Sequence, residues 1–255
     1  DLCRAFVSEY IRTSGDSNLC ELLHFYQAYR AHIRAKVACF KLDDPFVPES
    51  EKAIELEKAK GYFNLALAYS LPRPQLFITV GFTGCGKSTL AAELSRHLGL
   101  HHISSDITRK TLAGLPLTRC AGTEIGKGIY SSDMNGETYT AMMDQAEETL
   151  AQGDSVILDA TFLLPENRGK AIEMAKRRNS EIMIIECRLD EARIKERLNH
   201  RKPKPGVSDG CWEVYLSQKP RFEPVMELPI GRNHVIIDMH KPVNDNLRQI
   251  IDLLL

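Results

Sequence analysis

The sequence lacks the features that mark secreted, membrane-spanning and zinc-binding proteins. Its seven cysteines are scattered, odd in number and free of any C-x-x-C pair. This argues against a disulfide framework or a zinc site and favours a reducing compartment. No apolar run approaches the roughly 20 residues that span a bilayer, and no signal peptide is visible. We therefore expect a cytoplasmic protein with no membrane partner.

The chain also lacks a strong charge of either sign. Its net charge is −1 over 255 residues, and it contains no internal repeats or low-complexity tracts. Near neutrality argues against a nucleic-acid footprint over the whole surface, but it leaves a local basic groove open. The length allows one large domain, or one domain with a smaller module.

The pattern of apolar residues changes near residue 72. Residues 1–71 have helical spacing and predict a helical module with one buried face. That face comprises Leu22, Tyr26, Tyr29, Ile33, Val37 and Phe40. Residues 72–255 alternate short apolar runs with amphipathic helices, which predicts an α/β domain. Its parallel five-stranded sheet should carry helices on both faces. The strands are expected near 76–80, 101–104, 155–159, 181–187 and 234–238.

Residues 81–88 fill every position of the phosphate-binding pattern G-x-x-x-x-G-K-[ST]. The pattern follows the first predicted strand and precedes a helix, the context in which backbone N–H groups and a helix N-terminus face a phosphate chain. Lys87 should reach the β- and γ-phosphates, and Ser88 should ligate Mg²⁺. We therefore expect ATP and Mg²⁺ to bind. The predicted nucleotide-binding residues are Gly81, Thr83, Gly84, Cys85, Gly86, Lys87, Ser88 and Thr89.

Polar residues follow the second and third predicted strands, where ligands of parallel sheets bind. Asp106 is predicted to align an acceptor hydroxyl and take its proton, although it is also a good helix cap. Arg109 lies one helical turn later and could bind an acceptor phosphate or carboxylate. Asp159 ends a buried strand and could hold Mg²⁺ or orient the acceptor. Arg168 is either an acceptor-side cation or a surface charge.

A basic helix late in the chain is predicted to form part of a lid over the nucleotide. Arg197 and Arg201 precede a break at Pro203, Pro205 and Gly206. A mobile segment there would close over ATP and stabilise charge on the transferring phosphoryl group. The alternative is a solvated helix face. We predict catalytic roles for Arg197 and Arg201.

These residues together resemble the P-loop small kinases of the zeta-toxin, gluconate-kinase and phage-type polynucleotide-kinase group. The resemblance covers roughly residues 75–255 and is strongest in the phosphate loop. It implies that Asp106 acts as base or hydroxyl aligner and that Arg109 binds the acceptor. It also implies that Arg197 or Arg201 is the lid arginine. The acceptor pocket diverges within this group, so the resemblance does not identify the substrate.

The helical module resembles the C-terminal helices of aminoglycoside-phosphotransferase-like domains. The resemblance rests on Ser14-Gly15-Asp16, Phe25-Tyr26 and the run from Arg30 to Val37. No H-x-D catalytic loop occurs in the chain, so this part should be a structural remnant or docking module. The resemblance implies that an N-terminal domain of a longer chain is absent from this sequence.

The leading hypothesis is an ATP- and Mg²⁺-dependent kinase that phosphorylates a hydroxyl of a small metabolite or sugar. A kinase acting on the 5′-hydroxyl of a polynucleotide is the second choice. A nucleotide-binding switch or ATPase that acts on a protein partner is the alternative of another class. The pair Asp106 and Arg109 favours a kinase, because a switch needs no carboxylate to align an acceptor.

Overall fold

The computed structural model describes residues 2–16, 19–71, 73–116, 128–200 and 211–254. The α-helices in these ranges are α1 Leu2–Ser14, α2 Leu19–Leu42, α3 Glu49–Ser70, α4 Lys87–Leu98, α5 Ser105–Leu112, α6 Ser132–Ala151, α7 Pro165–Arg177, α8 Glu191–His200, α9 Trp212–Gln218 and α10 Val243–Leu254. The strands are β1 Gln75–Val80, β2 His101–Ser104, β3 Val156–Asp159, β4 Glu181–Arg188 and β5 His234–Asp238.

The five strands form one parallel sheet in the order β2-β3-β1-β4-β5. Helices cover both faces, as the alternating pattern predicted, and each strand lies within a residue or two of its expected position. Strand β1 is central and every one of its residues is buried. This explains its continuous apolar run, since a strand covered on both faces has no solvent-facing side.

The order of the strands determines where the loops of the site lie. The loops after β1, β2, β3 and β5 all leave the carboxyl edge of the sheet, because the strands are parallel. The loop after β1 is central, whereas the residues after β2 and after β5 lie at opposite ends of that edge. Ligands of open α/β sheets bind in the crevice along this edge.

The chain divides into two compact units, and the boundary along the sequence falls between residues 72 and 73. The helical unit contains α1, α2 and α3, and the other unit contains the whole sheet. A short segment at the end of α4, residues 97–99, is grouped with the helical unit. Among the described helices, none is long and apolar enough to cross a bilayer.

The predicted buried face of the helical unit is wrong. Tyr29 and Phe40 are 55% and 68% exposed, whereas Ala31, Ala35 and Ala38 are buried among the α2 side chains that the structure describes. Helix α2 packs on α3, which buries Ala59. Small residues let two helix backbones approach closely, so the alanine stripe forms the contact. The larger apolar residues of α2 recur with the same helical spacing as the alanines. Spacing alone therefore does not distinguish the two faces, and the predicted face is the exposed one.

Candidate active site

The phosphate loop lies between β1 and α4, with Lys87 as the first residue of the helix. Gly81 and Gly86 have φ angles of 142° and 108°, a region that side chains rarely adopt. A Cβ at Gly81 would lie 2.6 Å from the Cys187 carbonyl oxygen, and one at Gly86 would lie 2.8 Å from Met239 Cε. The curl of the loop therefore requires glycine at both positions.

Lys87 and Cys85 lie under the loop rather than on its surface. Lys87 is 7% exposed, and its ammonium donates a hydrogen bond of 2.7 Å to the Phe82 carbonyl. The same ammonium lies 3.8 Å from Cys85 Sγ. This geometry holds the lysine side chain within the loop, with its charge directed at loop atoms. Ser88 and Thr89 follow it on the exposed side of α4.

Cys85 forms a buried pair with Cys187 at the end of β4. A hydrogen bond from the Cys187 thiol, with help from the charge of Lys87, lowers the pKa of Cys85 to about 6, although burial opposes this. The same hydrogen bond and burial raise the pKa of Cys187. The sequence alone allows either a thiolate or a small side chain tolerated by the turn at this position, and it favours the small side chain. The structure instead favours a thiolate at Cys85, beside the lysine of the loop.

Asp106 and Arg109 lie together in the first turns of α5, directly after β2. The Arg109 guanidinium donates to Asp106 Oδ1 at 3.1 Å and to Asn135 Oδ1 at 3.0 Å. Its Cζ lies 5.1 Å from the centre of the Tyr130 ring. Arg109 is 7% exposed, and its Nε has no hydrogen-bond partner. A buried donor of this kind is suited to an anionic or carbonyl group of a bound molecule.

Asp159 is the last residue of β3 and is paired in register with Ser104 of β2. It is 3% exposed, and its Oδ2 lies 3.4 Å from His102 Nε2. The register therefore places this carboxylate beside the segment that carries Asp106. This is the juxtaposition expected of residues that end neighbouring parallel strands.

Arg197 of α8 contacts the phosphate loop directly. Its guanidinium donates to the Cys85 carbonyl at 3.0 Å and to the Met239 carbonyl at 3.2 Å. Arg193, on the same helix, instead forms a 2.8 Å surface ion pair with Glu196. Arg201 and the break after it lie outside the described residues. The structure thus brings one of the two predicted lid arginines to the loop.

Arg168 does not join this group. It is completely buried and donates to the carbonyl oxygens of Phe162 at 2.8 Å and Leu163 at 3.0 Å. It also donates to the Pro224 carbonyl and forms a 2.8 Å ion pair with Glu227. These bonds occupy its guanidinium away from the cavity, so the acceptor-side role is corrected to an internal anchor. The sequence offered two surface roles and did not consider a buried one.

The anchored segment contains an unusual backbone conformation. Phe162 is buried and has a φ of 42°, which is strained for a bulky side chain. Its N–H donates to the Tyr139 hydroxyl at 3.0 Å. The preceding carbonyl, that of Thr161, accepts from the Gly81 N–H at 3.1 Å. The loop after β3 is thereby tied to the start of the phosphate loop.

Several residues at the site carried no signal in the sequence. Gln218 accepts a 2.9 Å hydrogen bond from the Thr83 N–H through its Oε1. Asn135 and Tyr130 hold Arg109, and Tyr139 holds Phe162. None belongs to a motif, and each reaches the site from a distant part of the chain. The available signal in the sequence was the presence of polar residues, such as Asn135 and Tyr139, in the amphipathic helix α6.

One cavity of about 1420 Å³ runs along the carboxyl edge of the sheet. It is lined by Thr83, Gly84, Gly86, Lys87, Ser88, Thr89, Asp106, Arg109, Asp159 and Arg197. Gly81 and Cys85 are buried. The volume exceeds the roughly 300–1,000 Å³ of a site for one small ligand. It therefore has room for a nucleotide and a second molecule.

The residues present fit a nucleotide with its magnesium ion. Gly84 and Gly86 have positive φ angles and carry no side chains, so backbone N–H groups of the loop can approach a phosphate closely. Ser88 and Asp159 line the same cavity and offer a hydroxyl and a carboxylate, the oxygen ligands that Mg²⁺ prefers. Lys87 supplies the cation of the loop.

Comparisons with known proteins identify the family and the fold. A family model described as an AAA domain matches residues 76–225. A shikimate kinase of Thermus thermophilus is 31% identical over 150 residues, which cover 52% of this chain and 78% of that protein. A sugar kinase structure from Janibacter has a TM-score of 0.53 at 15% identity, covering 72% of this chain and 95% of that one.

An uncharacterized protein of Mycobacterium tuberculosis is 31% identical over 187 residues, or 73% of this chain. The match covers 36% of that protein, so the chain spans about a third of the length of these mycobacterial relatives. The AAA-domain match covers more than half of the chain and includes the entire phosphate loop. This chain therefore belongs to the AAA domain family, with a nucleotide-binding P-loop and the fold of a kinase.

Proposed function

We propose that the protein is an ATP-dependent kinase that transfers the γ-phosphoryl group to a hydroxyl of a small metabolite or sugar. The observation that carries the proposal is one cavity lined by the phosphate loop, by Asp106 and by Arg109. A nucleotide switch needs the first of these but has no use for a carboxylate and a buried arginine beside it. The shikimate kinase relative, which is named for a small hydroxylated acid, supports the same class.

The residues divide the chemistry between them. The loop N–H groups and Lys87 bind the β- and γ-phosphates of the substrate ATP. Mg²⁺, held by Ser88 and Asp159, would neutralise phosphate charge when bound. Asp106 Oδ1 accepts from Arg109, and we assign the other oxygen, Oδ2, to the acceptor hydroxyl. As the acceptor oxygen bonds to the γ-phosphorus and the bond to ADP breaks, the hydroxyl proton passes to that carboxylate.

In this proposal Arg109 binds the acceptor. Its Nε is a buried donor without a partner, and Asp106, Asn135 and Tyr130 fix the plane of the guanidinium. A carboxylate or phosphate on the acceptor would complete that set of bonds. We assign Arg197, which donates to the Cys85 carbonyl and lines the cavity, to support of the phosphate loop and to the charge of the transferring group.

The test is a screen with ATP labelled on its γ-phosphate, Mg²⁺ and a panel of acceptors. The panel should contain sugars, hydroxy acids, phosphorylated alcohols and a 5′-hydroxyl oligonucleotide. We expect label to move to a small hydroxyl compound and Asp106→Asn to lower the rate of that transfer by roughly 10²-fold or more. Label on the oligonucleotide alone would favour the polynucleotide kinase. Release of inorganic phosphate without any labelled acceptor would favour the switch and contradict the proposal.

A further inference from the structure

Two buried side-chain atoms in the described part of the chain lack a hydrogen-bond partner, Arg109 Nε and Asn246 Oδ1. Both residues line the cavity. Buried polar atoms without partners are uncommon in folded proteins, and each needs an explanation. The acceptor molecule explains the arginine, as argued above. The proposed chemistry leaves the amide oxygen of Asn246 unexplained.

Asn246 lies in the first turn of α10, at the end of the cavity that follows β5. It is completely buried, and its Nδ2 lies 3.9 Å from Met239 Sδ. Met239 in turn reaches the phosphate loop, since its Cε lies 2.8 Å from the position of a Cβ at Gly86. Its carbonyl accepts from Arg197. Asn246 is thus joined to the loop through one methionine side chain.

The strand order separates this end of the cavity from the acceptor. Asp106 and Arg109 follow β2, and Asn246 follows β5, with the phosphate loop after the central strand between them. A nucleotide whose phosphates occupy the loop and whose γ-phosphate faces Asp106 must extend its base toward β5. Met239 and Val243 line that end of the cavity and provide apolar surface for the faces of a base.

We propose that Asn246 Oδ1 accepts a hydrogen bond from the exocyclic amino group of adenine and makes the site selective for ATP. The proposal rests on the nucleotide-binding part of the proposed function. Adenine carries an N–H donor at its 6-position, which satisfies the unpaired oxygen. Guanine carries a carbonyl oxygen there. Two acceptors would then face each other, and their lone pairs would repel. One N–H of the amide nitrogen is directed at the methionine sulfur.

The test compares equilibrium binding of three triphosphates to the full chain. They are ATP, purine riboside triphosphate, which lacks the amino group, and GTP. A site with a buried acceptor should bind ATP about tenfold or more tightly than the compound that leaves it unpaired. GTP should bind no better than purine riboside triphosphate. This comparison needs no variant, so it is independent of any effect on folding.

The variant Asn246→Leu then tests whether the preference for ATP comes from the side-chain amide of Asn246. Leucine keeps the branched shape and the number of side-chain heavy atoms, although it is somewhat larger, and it removes the acceptor, so ATP and purine riboside triphosphate should bind equally well. Asn244→Leu is the matched control, because Asn244 is exposed on the same helix and should keep the ATP preference. A wild-type protein that binds ATP and purine riboside triphosphate equally, or prefers GTP, would overturn the inference.

The outcomes separate this inference from the proposed function. Binding of all three triphosphates without preference removes the role of Asn246 and leaves the phosphate site intact. A preference that survives in Asn246→Leu also overturns it, because another group must then recognise the amino group. Failure to bind any triphosphate would overturn the nucleotide site itself, and the inference with it.

Discussion

At the residue scale, we predict that phosphate binding depends most on Lys87. Its ammonium is buried under the loop and bonded to the Phe82 carbonyl of the loop. Lys87→Ala should lower the transfer rate by roughly 10²-fold or more, the scale of losing a preorganised charge donor. Kinetics with labelled ATP and binding by calorimetry measure this. An unchanged rate would remove the lysine from the mechanism.

Asp106 allows the two halves of the site to be distinguished. Asp106→Asn keeps the shape of the side chain and removes the base, so the transfer rate should fall by roughly 10²-fold or more. ATP affinity should stay close to that of the wild type, since the carboxylate serves the acceptor. A loss of ATP affinity with normal transfer would place Asp106 in the nucleotide site instead.

Cys85 predicts a dependence of nucleotide binding on pH. Its pKa of about 6 means that it carries a negative charge above that pH, beside Lys87. The charge offsets the lysine and opposes the phosphates. Cys85→Ser should therefore strengthen ATP binding at pH 8 and change it little at pH 5.5. Calorimetry of both proteins at both pH values measures the difference, and the titration of ATP itself cancels in the comparison. An equal effect at both pH values would show that the charge of the thiol does not change between them.

The sequence predicts the position of some residues in the fold and not of others. Lys87, Asp106, Arg109 and Asp159 could be placed because a contiguous motif or the end of a strand determines their position. Arg168 could not, since only tertiary packing shows that its partners include Glu227, far along the chain. For the same reason Asn246 gave no signal. A buried polar residue in an amphipathic helix cannot be distinguished by spacing from an exposed one.

At the scale of elements, α7 acts as an anchor for the strained loop after β3. Arg168 holds the Phe162 and Leu163 carbonyls, and Tyr139 of α6 holds the Phe162 N–H. That loop also binds Gly81. The strain at Phe162 can persist because the surrounding contacts over-determine it. The arrangement couples the end of one strand to the beginning of the phosphate loop.

Arg168→Met should destabilise the fold rather than weaken substrate binding alone. It leaves Glu227 and three carbonyls without their donor, and breaking a buried ion pair costs about 3–5 kcal/mol. Chemical denaturation measures the free energy of unfolding. Arg177→Met on the same helix is the control, because Arg177 is exposed and its loss should matter far less. Unchanged stability with poorer acceptor binding would restore the role suggested by the sequence.

The strands were predictable and the helix faces of the first unit were not. Four of the five strands are short, mostly apolar runs bounded by turn residues, whereas β2 contains a single apolar residue, Ile103. In α2 both alanine and larger apolar residues follow a helical period, so periodicity gives two candidate faces. The structure buries the alanines and leaves Phe40 and Tyr29 exposed. Which face is covered depends on the partner helix, and the sequence of α2 does not encode that partner.

At the scale of the whole molecule, the candidate site belongs to one of the two units. Every residue that lines the cavity lies in the unit that contains the sheet. The helical unit has its own packed pair, α2 and α3, with the buried alanine stripe between them. The resemblance of residues 1–71 to phosphotransferase helices stays a prediction, as does their role as a docking module.

This division predicts how nucleotide binding affects the two units. Ligand binding stabilises the part of the protein that forms the site, by mass action on its native state. An ATP analogue with Mg²⁺ should therefore slow hydrogen exchange in the phosphate loop, in α5 and in the first turn of α10. Exchange in α2 and α3 should stay the same. Mass-spectrometric hydrogen exchange on the full chain measures both at once, with the Lys87→Ala protein as the control that should show no protection. Protection of α2 or α3 by the analogue would mean that the helical unit contributes to nucleotide binding and that the site extends beyond the sheet.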